Sequence, residues 1–305
     1  MATQGKSGIT WTDETWNPVT GCSKVSQGCK HCYAERNWPR LSAPRPNPNL
    51  YTGRDFTDVR CHPERLDLPL RWARPRRIFV NSMSDLFHPD VPDSFIRQIF
   101  SVMATESQHT FQVLTKRAAR MRDLLDRWRN DGTFRYHDGM APANVWLGVS
   151  VEDQATADER IPLLLQTPAA VRWISAEPLL GPIDLDSSAA DGLHAFGCGD
   201  LDCDCGDLGL NWVVAGGESG RQARPMHPAW VRSLRDQCKD AGVSFMLKQW
   251  GEWHPRIWLD GGDVVIGPNE GYRTTLIDDC EMVRCGKHAA GRHLDGKLHD
   301  EYPSA

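Results

Sequence analysis

RIFVNSMSDLFHPDVPDSFIRQIFSVMATESQHTFQVLTKR, residues 77–117, reads as one complete β/α/β unit. Ile78–Ser82 and Phe111–Thr115 are short, β-rich and free of charge, the pattern of strands buried on both faces. Ser94–Glu106, between them, has helical periodicity. The same rhythm continues downstream. Val145–Val151, Arg172–Ala176, Trp212–Gly216 and Ser244–Lys248 read as further strands, and Ala118–Asn130, Ala155–Leu165 and Ala229–Asp240 as helices. Most strand-to-strand intervals run to about thirty residues, room for one helix and two loops. His227–Pro228–Ala229 marks a helix start and Gly242 a helix stop.

With a first strand inside Ile9–Thr20, the series has six or seven β/α units, which fold as a doubly wound sheet or as a partial or full (β/α) barrel. The barrel is the reading preferred here. Polar residues recur where strands end: Ser84–Asp85, Lys116–Arg117, Ser150–Glu152, Ser175–Glu177, Glu218–Ser219 and Lys248–Gln249. A barrel active site needs such groups at one mouth, although polar residues also begin ordinary loops. Three stretches depart from the rhythm. Pro39–Pro48 is proline-rich and expected to be irregular; Asp186–Leu210, rich in Gly and Asp, looks inserted; and the chain after Trp250 has no β/α pattern. The expected organisation is a barrel over 1–250 with an insertion at 186–210, then an irregular C-terminal extension over 251–305.

The bulk numbers agree with this. A chain of 305 residues, 40% apolar and 25% charged, has ordinary globular composition rather than that of a disordered chain. No run approaches the roughly eighteen apolar residues of a membrane helix, and the start MATQGKSGITW lacks a signal-peptide core, so a cytoplasmic protein without membrane contact is expected. The net charge of −5 argues against a uniformly basic nucleic-acid binder. It leaves room for a local basic groove, and Arg71–Arg77 and Lys116–Arg129 are basic.

Ten cysteines are many for a cytosolic chain, and in a reducing compartment clustered thiols more often hold metal than pair. Cys22, Cys29 and Cys32 lie in NPVTGCSKVSQGCKHCYAER, residues 17–36, with the spacing Cys-x6-Cys-x2-Cys. Three thiolates on one loop can hold three irons of a 4Fe–4S cluster and leave the fourth open, an opening that four-cysteine electron carriers lack. Gly21 and Gly28 let the backbone fold tightly around an inorganic core. Zinc, with His31 or a distant Cys as fourth ligand, is the leading alternative. Buried structural thiols are the bland one.

On these residues the opening half resembles radical S-adenosylmethionine (SAM) enzymes. The whole chain resembles a family of phage and prophage proteins of largely unassigned function that carry this three-cysteine motif. The matching segments are TWNPVTGCSKVSQGCKHCYAER, NSMSDLFH, VLTKR, GVSVEDQ, ISAEPLLG, WVVAGGESG and LKQWG, spread over residues from about 8 to 251. One departure is the first cysteine spacing, three residues longer than in most radical SAM proteins.

The resemblance implies a 4Fe–4S cluster on Cys22, Cys29 and Cys32, with SAM chelating the open iron and being cleaved reductively to a 5′-deoxyadenosyl radical. Carried over by strand position, Ser82, Ser84 and Asp85 fall where SAM's ammonium is accepted and Lys116 where its carboxylate is met. Ser150 and Glu152 fall near the ribose hydroxyls, and Gly216, Gly217 and Glu218 on the strand that packs against adenine. Asp85 and Glu152 equally suit helix capping. Glu177 and Lys248, with Arg221 and Gln249, are candidates for touching substrate, and Glu177 with Lys248 reads equally as a structural ion pair. The implied partners are SAM, an unidentified substrate and an electron donor such as a flavodoxin.

A second cluster, Cys198, Cys203 and Cys205 with His194 nearby, is either a second metal site or a cysteine-bearing surface loop, the preferred reading. For Cys280, Cys285, His288 and His293 the non-metal reading is also preferred, and Trp250, Trp253 and Trp258 read as packing groups. Three functions remain: radical SAM chemistry on a nucleic-acid base or nucleotide, the same chemistry on a peptide or small molecule, and a non-catalytic zinc- or Fe–S-binding recognition module.

Overall fold

The structure is a computed structural model that describes residues 8–132, 142–186, 194–197, 209–256 and 273–303. Cys198, Cys203, Cys205 and Trp258 lie outside the described residues.

Seven strands form one sheet in chain order: β1 (Glu14–Trp16), β2 (Arg77–Val80), β3 (Thr110–Thr115), β4 (Val145–Val151), β5 (Val171–Ala176), β6 (Trp212–Gly216) and β7 (Ser244–Gln249). An order that never reverses is the winding of a partial (β/α) barrel; a doubly wound sheet would turn back at a switch point. Pairing is parallel, with Glu14 opposite Ile78, Ile78 opposite Phe111, Val113 opposite Leu147 and Val214 opposite Met246. The helices are α1 (Tyr33–Ser42), α2 (Asp93–Thr105), α3 (Ala118–Asn130), α4 (Gln154–Leu165) and α5 (Pro228–Asp240). None of the described helices is long and apolar enough to cross a membrane.

By contacts the chain divides into two compact units, Met1–Val149 with Leu163–Trp173, and Ser150–Pro162 with Ile174–Ala305. In the first, α2 buries Phe95, Ile96, Ile99, Phe100 and Met103, one stripe at helical spacing. Gly148 on β4 has a specific packing reason. A Cβ there would lie 2.5 Å from the Trp173 indole, which itself meets Trp11 edge-on with ring centroids 5.3 Å apart.

Helix α1 is a correction to the sequence reading, because Pro39 lies inside it rather than opening an irregular stretch. Burial of Ala34 and Trp38 on one face outweighs the hydrogen bond that Pro39 forfeits.

In the second unit, α5 starts as its sequence indicates. His227 accepts from the Ala229 N–H, Pro228 sits in the first turn, and Gly242 just past the end has φ +68°. The chain after Trp250 contains a three-stranded antiparallel sheet of β8 (Trp253–Pro255), β9 (Arg273–Ile277) and β10 (Cys280–Arg284), in the order β8-β10-β9. The last residues cover the free edge of β7: Leu247 N–H donates to His299 O (3.1 Å), and Glu301 N–H to Phe245 O (3.3 Å). An exposed parallel edge would otherwise offer unpaired backbone groups to other chains.

Candidate functional site

In the first unit the cysteine loop is tied down from several sides. Val19–Thr20 pairs antiparallel with Arg60–Cys61, Gly21 N–H reaches Met83 O (3.2 Å), and Cys22 N–H donates to Phe56 O (2.9 Å). Gly21 has φ +90°, and a Cβ there would lie 2.4 Å from Asp58 O, so only glycine fits. Arg54, which the sequence did not single out, braces the loop from below. Its guanidinium donates to Thr20 Oγ1 (2.9 Å), Leu50 O (2.7 Å) and Asp58 Oδ2 (3.0 Å).

The three thiols are all free and half-buried. Cys29 ends a short 3-10 turn, Gln27–Cys29, and its Sγ lies 4.0 Å from Ser26 Oγ. Cys32 is the N-cap of α1. Burial pushes its thiol up, while the Glu35 and Ala34 N–H groups at the helix start pull it down by favouring the thiolate. Cys22 is pushed up to about 11 by burial and by the Asp85 charge, against the opposing pull of Arg117. Each of Cys22 and Cys29 is close enough to Cys32 for their charges to interact.

Among the described residues, no group of three His, Cys, Asp or Glu side chains is already gathered into a metal site. Three soft thiol donors on one anchored loop are the donor type that iron–sulfur clusters take. By donor chemistry Cys22, Cys29 and Cys32 are the residues that would hold a 4Fe–4S cluster.

Asp85 and Arg117 form the centre of a network beside Cys22. Asp85 accepts from Phe87 N–H (2.9 Å), Thr115 Oγ1 (2.7 Å), Lys116 N–H (3.1 Å) and Arg117 Nη1 (2.9 Å), so its carboxylate oxygens are committed inside the protein. Ser82 Oγ donates to Asn17 Oδ1 (3.2 Å) and Ser84 Oγ to Val19 O (2.8 Å), which leaves both hydroxyls with acceptor lone pairs. Tyr33 OH donates to Ser82 O. His88 faces Ser23 across 2.7 Å, and burial with the Arg117 charge pushes the imidazole below its ordinary value.

In the second unit the structure brings together Ser150, Glu177, Gly216 and Lys248. Ser150 Oγ donates to Glu177 O (3.2 Å), and Lys248 Nζ lies 2.5 Å from Glu177 Oε2. A Cβ on Gly216 would lie 3.2 Å from Glu177 Cδ. Glu152 is fully buried and paired with Arg160 (3.2 Å). Glu218 holds Arg224 through both carboxylate oxygens, Oε1 to Nη2 and Oε2 to Nε. Gly217 is where Trp250 O would meet a Cβ at 1.9 Å, so this glycine admits the chain at Trp250. Gln249 Nε2 donates to Gly217 O (2.9 Å).

The basic stretches are largely neutralised by neighbouring acids. Arg120 and Arg127 pair with Asp93, Arg129 with Asp126, and Arg71 with Asp67. Arg117 was legible in the sequence only as a polar residue at a strand end, in VLTKR, and as part of the basic stretch Lys116–Arg129, with nothing to point it at Cys22.

The family described as "Protein of unknown function (DUF5131)" matches residues 6–303. No curated protein matches the chain. Among solved structures the chain is similar to a Cys-to-Ser mutant of spore photoproduct lyase, with 12% identity and a TM-score of 0.42, covering 93% of this chain and 71% of that one. The same lyase complexed with dinucleoside spore photoproduct matches at 10% identity, with the same TM-score and coverage.

Proposed function

The chain belongs to the DUF5131 family, and we propose that it is a radical SAM enzyme whose 4Fe–4S cluster is held by Cys22, Cys29 and Cys32. The observation that carries this reading is the cysteine loop. Three free thiols are held as neighbours on one loop whose backbone is anchored at Gly21 and Cys22. When bound, the cluster supplies an iron with an open coordination position and the electron for reductive cleavage of SAM.

The chain's own residues prepare that site. The Ala34 and Glu35 N–H groups favour the Cys32 thiolate, and Arg117 favours that of Cys22. Ser82 and Ser84 retain acceptor lone pairs suited to an ammonium group, and Lys116 is the proposed partner of a carboxylate. Asp85 serves this site indirectly, by orienting Arg117 and the Lys116 backbone. The proposed setting is cytoplasmic, with a flavodoxin-type electron donor. The substrate class to test first is a nucleic-acid base or nucleotide, the expectation drawn from the sequence resemblance.

The test is anaerobic reconstitution with iron and sulfide, followed by electron paramagnetic resonance of the reduced protein with and without SAM. A 4Fe–4S signal that shifts on adding SAM is the expected result, and C29A is expected to lose it while retaining the fold. A protein that takes up zinc and no cluster would instead be a recognition module, and the radical mechanism would be withdrawn.

A further inference from the structure

Arg117 places its guanidinium within hydrogen-bond reach of a cysteine of the cluster loop. Nη1 donates to Cys22 Sγ at 3.8 Å and to Asp85 Oδ2 at 2.9 Å, while Nη2 donates to Ser23 O (3.1 Å) and Ser23 Oγ (3.0 Å). The side chains of Arg117 and Asp85 are only 11% and 8% exposed. A planar fork held at both ends has one orientation, unlike a surface arginine that moves among several.

The supports of the fork are themselves fixed. Asp85 is locked by Phe87 N–H, Thr115 Oγ1 and Lys116 N–H. On the other side, the Asp90 N–H donates to His88 Nδ1 (3.2 Å), so the proton of neutral His88 sits on Nε2 and is donated to Ser23 Oγ (2.7 Å). Ser23 Oγ thus accepts from both His88 and Arg117. The residue after Cys22 is held in place by the same network that aims the guanidinium.

Reduction adds one electron to the cluster and makes it and its thiolates more negative, with no bond made or broken. A cation donating to a ligating sulfur in a partly buried site stabilises that reduced form more than the oxidised one. The three thiols differ in their surroundings: Cys22 meets the Arg117 guanidinium, Cys32 the helix-start N–H groups, and Cys29 Sγ lies 4.0 Å from Ser26 Oγ, with the Lys24 charge acting on both Cys29 and Cys32. Resting on the cluster reading above, we infer that Arg117 is a positioning residue that raises the reduction potential of the cluster through its contact with Cys22, and that Asp85 and Ser23 aim it.

The test is a redox titration of the reconstituted protein without SAM, with dithionite as reductant and the resonance of the reduced cluster as readout. Wild type is compared with R117Q, which removes the charge, and R117K, which keeps it. In R117Q the reduced-to-oxidised ratio at a fixed potential is expected to fall about tenfold, a midpoint lower by about 59 mV for one electron. R117K is expected to fall less. A midpoint in R117Q equal to wild type, or an equal fall in both variants, overturns the inference while leaving the proposed function standing. If R117Q holds too little cluster to titrate, the half-life of the cluster under an iron chelator replaces the midpoint. R117K must then outlast R117Q, and equal half-lives overturn the charge effect. Wild type that loads no cluster removes the proposed function and this inference together.

Discussion

Lys248 Nζ lies 2.5 Å from Glu177 Oε2, joining the end of β7 to the residue after β5, with the two side chains only 20% and 13% exposed. The other carboxylate oxygen, Oε1, is buried with no hydrogen-bond partner among the described residues. K248M strands this carboxylate and is expected to cost about 3–5 kcal/mol, whereas the double variant E177Q/K248M should regain most of that loss. Urea unfolding of the four proteins measures the cycle. A double variant that folds stably but no longer cleaves SAM or turns over substrate would add a chemical role to the structural one.

Gly217 and Gly251 make a second contact that admits no side chain. A Cβ on Gly217 would lie 1.9 Å from Trp250 O, and one on Gly251, at φ +86°, 2.1 Å from Glu218 O. Both obstacles are backbone atoms, which cannot swing aside. G217A and G251A are each expected to lose about 3 kcal/mol or more, or to express as insoluble protein. G132A, where a Cβ meets nothing within 4 Å, serves as the control; there only the φ of +71° adds strain. Equal thermal stability of G217A and wild type would remove the close approach from the account of this segment.

Cys238, fully buried on α5, is pushed up to about 12 by burial and the Glu301 charge. An unfolded thiol ionises near its ordinary value, so between about pH 9 and pH 12 the unfolded chain holds fewer protons than the folded one. Stability attributable to this group is complete below that window and falls as pH rises through it, by up to about 1.4 kcal/mol per pH unit. Under reducing conditions C238A should therefore show a shallower alkaline loss than wild type, despite a lower stability at pH 7. Parallel pH profiles would contradict the buried-thiol assignment.

Asp295 receives Arg232 at 2.7 Å and Arg235 at 2.5 Å, and these guanidinium groups hold its carboxyl below the usual range. The depressed value stabilises the fold above the ordinary carboxylate pKa, and the contribution is lost as pH falls through the folded value. The side chain is 38% exposed, so solvent screening limits the effect to under about 1 kcal/mol. D295N should be less stable than wild type at pH 7 and equal to it near pH 2. Amide exchange is expected to quicken first around Leu294 and Asp295, where the C-terminal segment meets α5.

Much of the fold was legible because its signals are local. Strands β4 and β6 and helix α3 have the bounds that their apolar runs and periodicity indicate, β2, β3, β5, β7, α2, α4 and α5 differ by one or two residues at their ends, and β1 lies inside the wider window Ile9–Thr20 where a first strand was expected. Helix α1 was hidden by Pro39, and its stability comes from burying Ala34 and Trp38, which no window of sequence reveals. The antiparallel sheet after Trp250 was hidden too. Arg273–Ile277 is mostly exposed and carries no buried-strand pattern.

The candidate site divides in the same way. The cysteine spacing, the flanking glycines and the polar strand ends were readable from neighbouring residues alone. Which carboxylates those strand ends commit elsewhere was not. Glu152 is sealed against Arg160, Glu218 is held by Arg224, and Asp85 is turned towards Arg117. Arg117 reaches Cys22 across 95 positions of chain, and Lys248 reaches Glu177 across 71. By itself, then, the sequence determined the strand series and the spacing of the candidate cysteine ligands, because hydrophobic period and thiol spacing act over a few residues. Only the tertiary structure decided which charges are spent on each other and which face the cysteine loop. Burial and ion pairing depend on residues brought together by the sheet, and their partners are distant along the chain.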